Sequence, residues 1–224
     1  LLDGDPVNNQ IERALTFNPG GKLTGARYFT LAGKWGYLLT DRSLVTIDFS
    51  NPVQPTISSE LKISDPNEIA VQFRYGFIST GKGLRVVDLT DYSQPKLVEG
   101  AEVDMPGGAN SCYVVRTYAY VGAGNKGMAI VDVKNPEKPS LVEYFNAGGK
   151  ISDCRDVKVG ITNSSYFAYV ADGSNGFHVV QLAGAMYHHL RCLGLGLRLG
   201  LGLGRSSVPQ VRHGEAHTHH IRSA

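Results

Sequence analysis

The side chains in this 224-residue chain best suited to hold a ligand are a few charged and amide groups at matching places. Asp153, Arg155 and Asp156 form one dense cluster, and Glu68 beside Asn67 and Ser111 beside Asn110 occupy the corresponding positions earlier in the chain. Carboxylates, a guanidinium and amides converging on one mouth suit a small polar ligand or a loop of a partner protein. Solvated charges at loop ends are the common alternative. Catalytic constellations find less support. Before residue 183 the only histidine is His178, set in an apolar run, so no Ser-His-Asp arrangement is expected. Cys112, Cys154 and Cys192 are too few and scattered for a zinc cage or disulfide framework, no C-x-x-C-H motif occurs, and Cys112 and Cys154 read as buried thiols. Asp172-Gly173-Ser174-Asn175-Gly176 resembles half a calcium loop but lacks the bidentate acid that would complete it, so a hairpin turn is expected. Gly122 to Gly127 leads into a strand rather than a helix N-terminus and cannot cradle a phosphate. No catalytic residue, metal or cofactor is therefore assigned from the sequence.

The elements that position these groups come from a recurring unit. SLVTIDFSNPVQP at 43–55, GLRVVDLTDYSQP at 83–95 and GMAIVDVKNPEKP at 127–139 are copies of one phrase, and GFHVVQL at 176–182 is a shortened fourth. Tyr37-Leu38, Phe77-Ile78, Tyr120-Val121 and Tyr169-Val170 align ahead of the turns TDRS, STGKG, GAGNKG and ADGSNG. Asp48, Asp88 and Asp132 close the following apolar run, spaced by 40 and 44 residues. That period is the module length of a four-stranded propeller blade. Runs rich in Val, Ile, Tyr and Phe bounded by Gly, Asn and Pro predict strands, in the third unit at 110–116, 118–122, 127–133 and 140–145. The Asn135-Pro136 and Pro139 link should break pairing after the third strand. The three motif aspartates are expected to be structural, each accepting N–H bonds from the turn it precedes. The predicted fold class is all-β, a propeller of four-stranded blades with about four visible and the ring incomplete. Its expected divisions are an extension at 1–25, possible partial strands included, blades at 26–63, 64–104, 105–147 and 148–182, and a tail at 183–224.

The motifs MAIVD at 128–132, LRVVD at 84–88 and LVTID at 44–48 resemble the LVIVD-repeat family, over roughly 26–182. The fourth unit departs from the pattern at Gln181, where the aspartate is missing and no Asn-Pro follows. The resemblance implies a β-propeller of bacterial extracytoplasmic proteins, in the periplasm or at the cell surface. Relatives with an insertion like ISDCRDVKVGITNSS look like parts of long proteins that also carry multi-haem domains. The family has no agreed catalytic residues to carry over.

Charge and composition narrow the function class. Residues 1–182 carry 17 Lys and Arg against 19 Asp and Glu, so the body lacks the basic excess of a nucleic-acid binder. No apolar run reaches the roughly 18 residues of a membrane span. LLDGDPVNNQ at the start holds neither Met nor a leader, which predicts a fragment of a longer parent with further blades elsewhere. Past residue 183 the usage changes abruptly to LGLGLRLGLGLG and an Arg- and His-rich end, which predicts a disordered or out-of-frame tail with no outer strand. His213, His217, His219 and His220 there could chelate a transition metal by composition alone. The sequence thus favours a non-catalytic module that binds a protein partner, or remaining domains of a larger parent, on the face containing Arg155 and Asp156. The alternatives are a structural domain of a multi-haem electron-transfer protein and, last, a propeller hydrolase or oxidoreductase.

Overall fold

The computed structural model of the chain describes residues 16–162, 165–182 and the backbone of 191–193. The described strands form four antiparallel sheets, each built from four consecutive strands. The first blade holds β1 (Tyr28–Ala32), β2 (Trp35–Leu39), β3 (Ser43–Asp48) and β4 (Thr56–Lys62). The second holds β5 (Pro66–Gln72), β6 (Tyr75–Thr80), β7 (Gly83–Asp88) and β8 (Lys96–Asp104). The third holds β9 (Ser111–Val115), β10 (Tyr118–Gly122), β11 (Met128–Asp132) and β12 (Ser140–Phe145). The fourth holds β13 (Asp156–Ile161), β14 (Tyr166–Ala171), β15 (Phe177–Leu182) and β16 (Arg191–Leu193). The predicted all-β, bladed architecture is what the chain adopts, and the four blades do not close a ring.

One strand departs from expectation. β16 pairs Val179 with Leu193 and Gln181 with Arg191, inside the segment predicted to hold no outer strand. The physical reason is the open edge of β15, whose unpaired N–H and C=O groups take whatever backbone reaches them. The extension contains a 3₁₀ turn at Pro19–Gly21 and no strand over 16–25. The histidines of the tail lie outside the described residues.

The register explains the recurring phrase. In each of the first three blades the third strand ends on the motif aspartate, and the pairing to the outer strand slips once just before it, at Thr46/Ile47, Arg85/Val87 and Ile130/Val131. A bulge at this point adds local twist where the chain leaves the sheet. The aspartate then braces the exit: Asp48 Oδ1 accepts the Ser50 N–H at 2.7 Å and the Ser50 hydroxyl at 2.6 Å. Asp88 does the same with Thr90, and Asp132 accepts the Lys134 N–H at 2.8 Å. These bonds hold the Asp48 and Asp88 carboxyls below the usual range, the hydroxyl bonds contributing most.

Three apolar cores lie between successive blades. Tyr37, Leu39 and Leu44 of the first blade pack on Ile69, Ile78 and Val87 of the second. Tyr75, Phe77 and Leu84 of the second pack on Cys112, Ala119 and Val121 of the third. Tyr120, Met128 and Ile130 of the third pack on Val157, Val159 and Val170 of the fourth. Alternation along each strand sends one set of side chains forward and the other back, so every interior blade is apolar on both faces.

Candidate functional site

The innermost strands β1, β5, β9 and β13 start at one end of the axis, and the register makes Tyr28, Glu68, Ser111 and Asp156 equivalent. They oppose Leu39, Ser79, Gly122 and Ala171, the corresponding residues of the second strands. The sequence identified three of the four and missed Tyr28. Glu68 is buried, and its Oε2 accepts the Cys112 N–H of the third blade at 3.2 Å. Its Oε1 accepts from Lys158 Nζ of the fourth blade at 2.7 Å, so this carboxylate ties together three blades. Lys158 also donates to Asp156 Oδ1 at 2.9 Å and lies 6.0 Å from the Tyr113 ring centroid. Burial alone would lower the Lys158 ammonium, but its bonds to the two carboxylates outweigh that and hold it above the usual lysine range. Burial and then the Glu68 charge push the Tyr28 phenol up to about 12. Ser111 is buried, and its hydroxyl makes no hydrogen bond among the described residues.

The residues that precede these four serve a different purpose. Arg27 donates to Asp65 at 2.7 Å, Asn67 to the Ala109 carbonyl at 2.8 Å and Asn110 to the Cys154 carbonyl at 3.0 Å. Each reaches forward to the next blade, so Asn67 and Asn110 act as clasps. The fourth member, Arg155, is paired instead with its neighbour Asp153, at 2.9 Å from Nη2. Asp153, Arg155 and Asp156 therefore do sit together at the mouth, with Lys158 added.

Nearby, the half-loop at Asp172 is a turn, with a 3₁₀ segment at Gly173–Asn175. The Asp172 carboxylate is fully buried and faces inward, accepting the Asp153 N–H at 2.6 Å, the Ser152 N–H at 3.1 Å and His178 Nε2 at 3.2 Å. Among the described residues no three His, Cys, Asp or Glu side chains cluster to hold a metal ion. Cys112 and Cys154 are free and buried; burial chiefly pushes the Cys154 thiol up to about 12 and raises that of Cys112 as well. What this mouth does chemically is neutralise charge pair by pair and brace the blades. Glu68→Ala is expected to cost about 2 kcal/mol, because the Cys112 N–H is left buried and unpaired. Glu68→Gln keeps an acceptor there and should cost about half as much, as urea unfolding would measure.

A second site lies at the opposite end of the strands and was not found from the sequence. The hairpin turns Gly33-Lys34, Phe73-Arg74 and Arg116-Thr117 are equivalent, and the first residue of each is left-handed, with φ of 62°, 52° and 55°. Glycine meets that demand in the first blade. The second places phenylalanine there, 86% exposed. A bulky residue at positive φ is an outlier costing about 1–3 kcal/mol, and such strain concentrates where function retains it. Phe73 borders a cleft of about 340 Å³ with Trp35, Val71, Tyr92 and Lys34. Tyr92 stands in the β7–β8 link, which the first blade anchors: Tyr37 donates to the Tyr92 carbonyl at 3.0 Å and Ser59 to the Ser93 carbonyl at 2.8 Å. Cations line the same end, Lys34 at 4.8 Å from the Trp35 ring, Arg74 at 5.0 Å from Tyr75 and Arg116 at 5.0 Å from Tyr166. The available signal was the large apolar residue in the turn position that Gly33 fills one blade earlier.

A family model described as LVIVD repeat matches four segments of the chain, residues 26–62, 64–102, 106–147 and 154–181. No curated protein matches it. Among solved structures, the extracellular domain of a B. thetaiotaomicron protein described as a hybrid two-component system superimposes with a TM-score of 0.56 at 13% identity. That match covers 81% of this chain and 23% of the other, so the chain spans under a quarter of that domain's length. The computationally designed Ika4 protein superimposes with a TM-score of 0.50 at 10% identity, over 70% of this chain and 91% of that one. At such identities the likeness is one of fold. Among the described residues no helix is long and apolar enough to cross a membrane.

Proposed function

The chain belongs to the LVIVD-repeat family, and from that membership we propose that it is a non-catalytic β-propeller module that binds a protein partner outside the cytoplasm. One observation carries this reading: Phe73, strained and almost fully exposed, stands over a cleft walled by Trp35 and Tyr92. Aromatic and cationic side chains on rigid hairpins are the composition of interface hot spots. The cleft is pre-formed, because hydrogen bonds from the first blade fix the link that carries Tyr92. The charged mouth at the other end is largely satisfied within itself, which leaves it less to offer a partner. The similarity to an extracellular domain supports the location outside the cytoplasm.

The test separates binding from folding. Phe73→Gly removes the ring and suits the left-handed turn, so the thermal midpoint should hold or rise while capture of the partner from a periplasmic or surface extract falls at least about tenfold. A paired variant, Arg155→Ala with Asp156→Ala, should leave capture intact. Capture unchanged by Phe73→Gly, or lost only in the paired variant, would move the partner off the aromatic cleft.

A further inference from the structure

Independently of the cleft, we propose that the outward face of the fourth blade docks on the outward face of the first blade of a second copy, so that two chains close one eight-blade ring. The register makes Tyr37, Phe77, Tyr120 and Tyr169 equivalent, and likewise Leu44, Leu84, Met128 and Phe177. In the first three blades both positions are buried beneath the following blade, in the three cores already described. The fourth blade keeps large apolar residues at both positions with no described blade upon them: Tyr169 is 38% exposed and Phe177 63%, their rings stacked with centroids 6.0 Å apart. Two exposed aromatics on a regular sheet face, at positions that serve as an interface three times elsewhere in the molecule, make a complete but unmatched docking surface.

The chain also carries a surface of the complementary kind. Ile69 and Val71, on the back of the second blade, have Phe29 and Leu31 as their equivalents on the first, and both are exposed, Leu31 at 59%. The clasp pattern agrees. Arg27, Asn67 and Asn110 each reach the next blade, and among the described residues Arg155 has no following blade to hold and pairs with Asp153 instead. In the dimer its guanidinium would meet the carbonyl preceding Arg27 of the second copy. The contact is heterologous, so the pair must close to avoid growing into a filament. Four blades joined to four make about eight, within the four to eight at which propellers close.

The experiment is light scattering on the full chain across a wide concentration range. The expected mass is twice 24.2 kDa. Phe177→Glu and Leu31→Glu should each return it to a single chain with an unchanged circular dichroism spectrum, since both side chains are exposed. Mixing the two variants should restore a weaker two-chain species through the one undamaged pair of faces. A wild-type mass of one chain at every concentration would overturn the proposal and assign the face to a different blade. A dimer unaffected by Leu31→Glu would overturn it in favour of a symmetric contact between fourth blades. A mass climbing past two chains would overturn ring closure.

Discussion

Gly83→Ala is expected to destabilise the molecule by about 4 kcal/mol, combining backbone strain with overpacking. Gly83 opens β7 at φ 132°. A Cβ there would overlap the Val103 carbonyl oxygen and lie 2.8 Å from Met105 N and 3.1 Å from Asp104 Cα. All three atoms are backbone on or just after β8, so no side-chain rotation relieves the clash. Gly127 has the same role in the third blade, at φ 84° with the Phe145 carbonyl oxygen and Asn146 Cα in the way, and Gly127→Ala should match the loss. Gly176 is the internal control. It holds φ 88°, but no described residue lies within 4 Å of where its Cβ would be. Gly176→Ala should therefore cost only the conformational part, about 1–2 kcal/mol. Urea unfolding of the three variants checks the contrast; equal losses at all three would show that outer-strand crowding contributes nothing.

Asp172→Ala should cost about 3 kcal/mol, since it strips the acceptor from the buried Ser152 and Asp153 N–H groups and from His178. Burial by itself would push this carboxyl up. The N–H bonds from Asp153 and Ser152, with help from Asn175 and His178, outweigh burial and hold it below the usual carboxylate range. Because the folded-state value is depressed, the unfolded chain takes up the proton first on acidification. The stabilisation is thus complete well above the ordinary aspartate value of about 3.9 and is lost as the pH falls through the lower, folded-state value. Thermal midpoints measured against pH should show an acid limb in the wild type that is shallower in Asp172→Asn.

Much of the fold was legible because the repeat fixes both strand order and register. The third unit's strands fall within one residue of their predicted limits, since glycine, proline and the motif aspartate punctuate them at each end. The bracing role of Asp48, Asp88 and Asp132 was legible for the same reason: a carboxylate at a strand exit has turn N–H groups two residues away. Equivalence by alignment brought Glu68, Ser111 and Asp156 to one mouth. It stopped short of Lys158, whose 2.7 Å bond to Glu68 spans 90 residues and two blades and depends on how the sheets are set about the axis. Tyr28 escaped because an aromatic residue at the start of a strand does not resemble the Glu68, Ser111 and Asp156 of the other units. Phe73 escaped because an apolar residue in a turn looks incidental until its backbone angle is known. β16 had no signal at all, being outside the repeated phrase.

Each sheet is made of strands adjacent in the chain, and none borrows a strand from its neighbour. Genetic crossover in the linkers at 63–65, 105–110 or 146–155 would therefore delete or duplicate a whole unit without severing a single ladder. What such an event must reconcile is the side-chain fit between one broad aromatic surface and one of small branched residues, together with the polar ties that reach from blade to blade. The architecture can change its size in steps of one blade, and selection on those few contact positions decides which sizes persist.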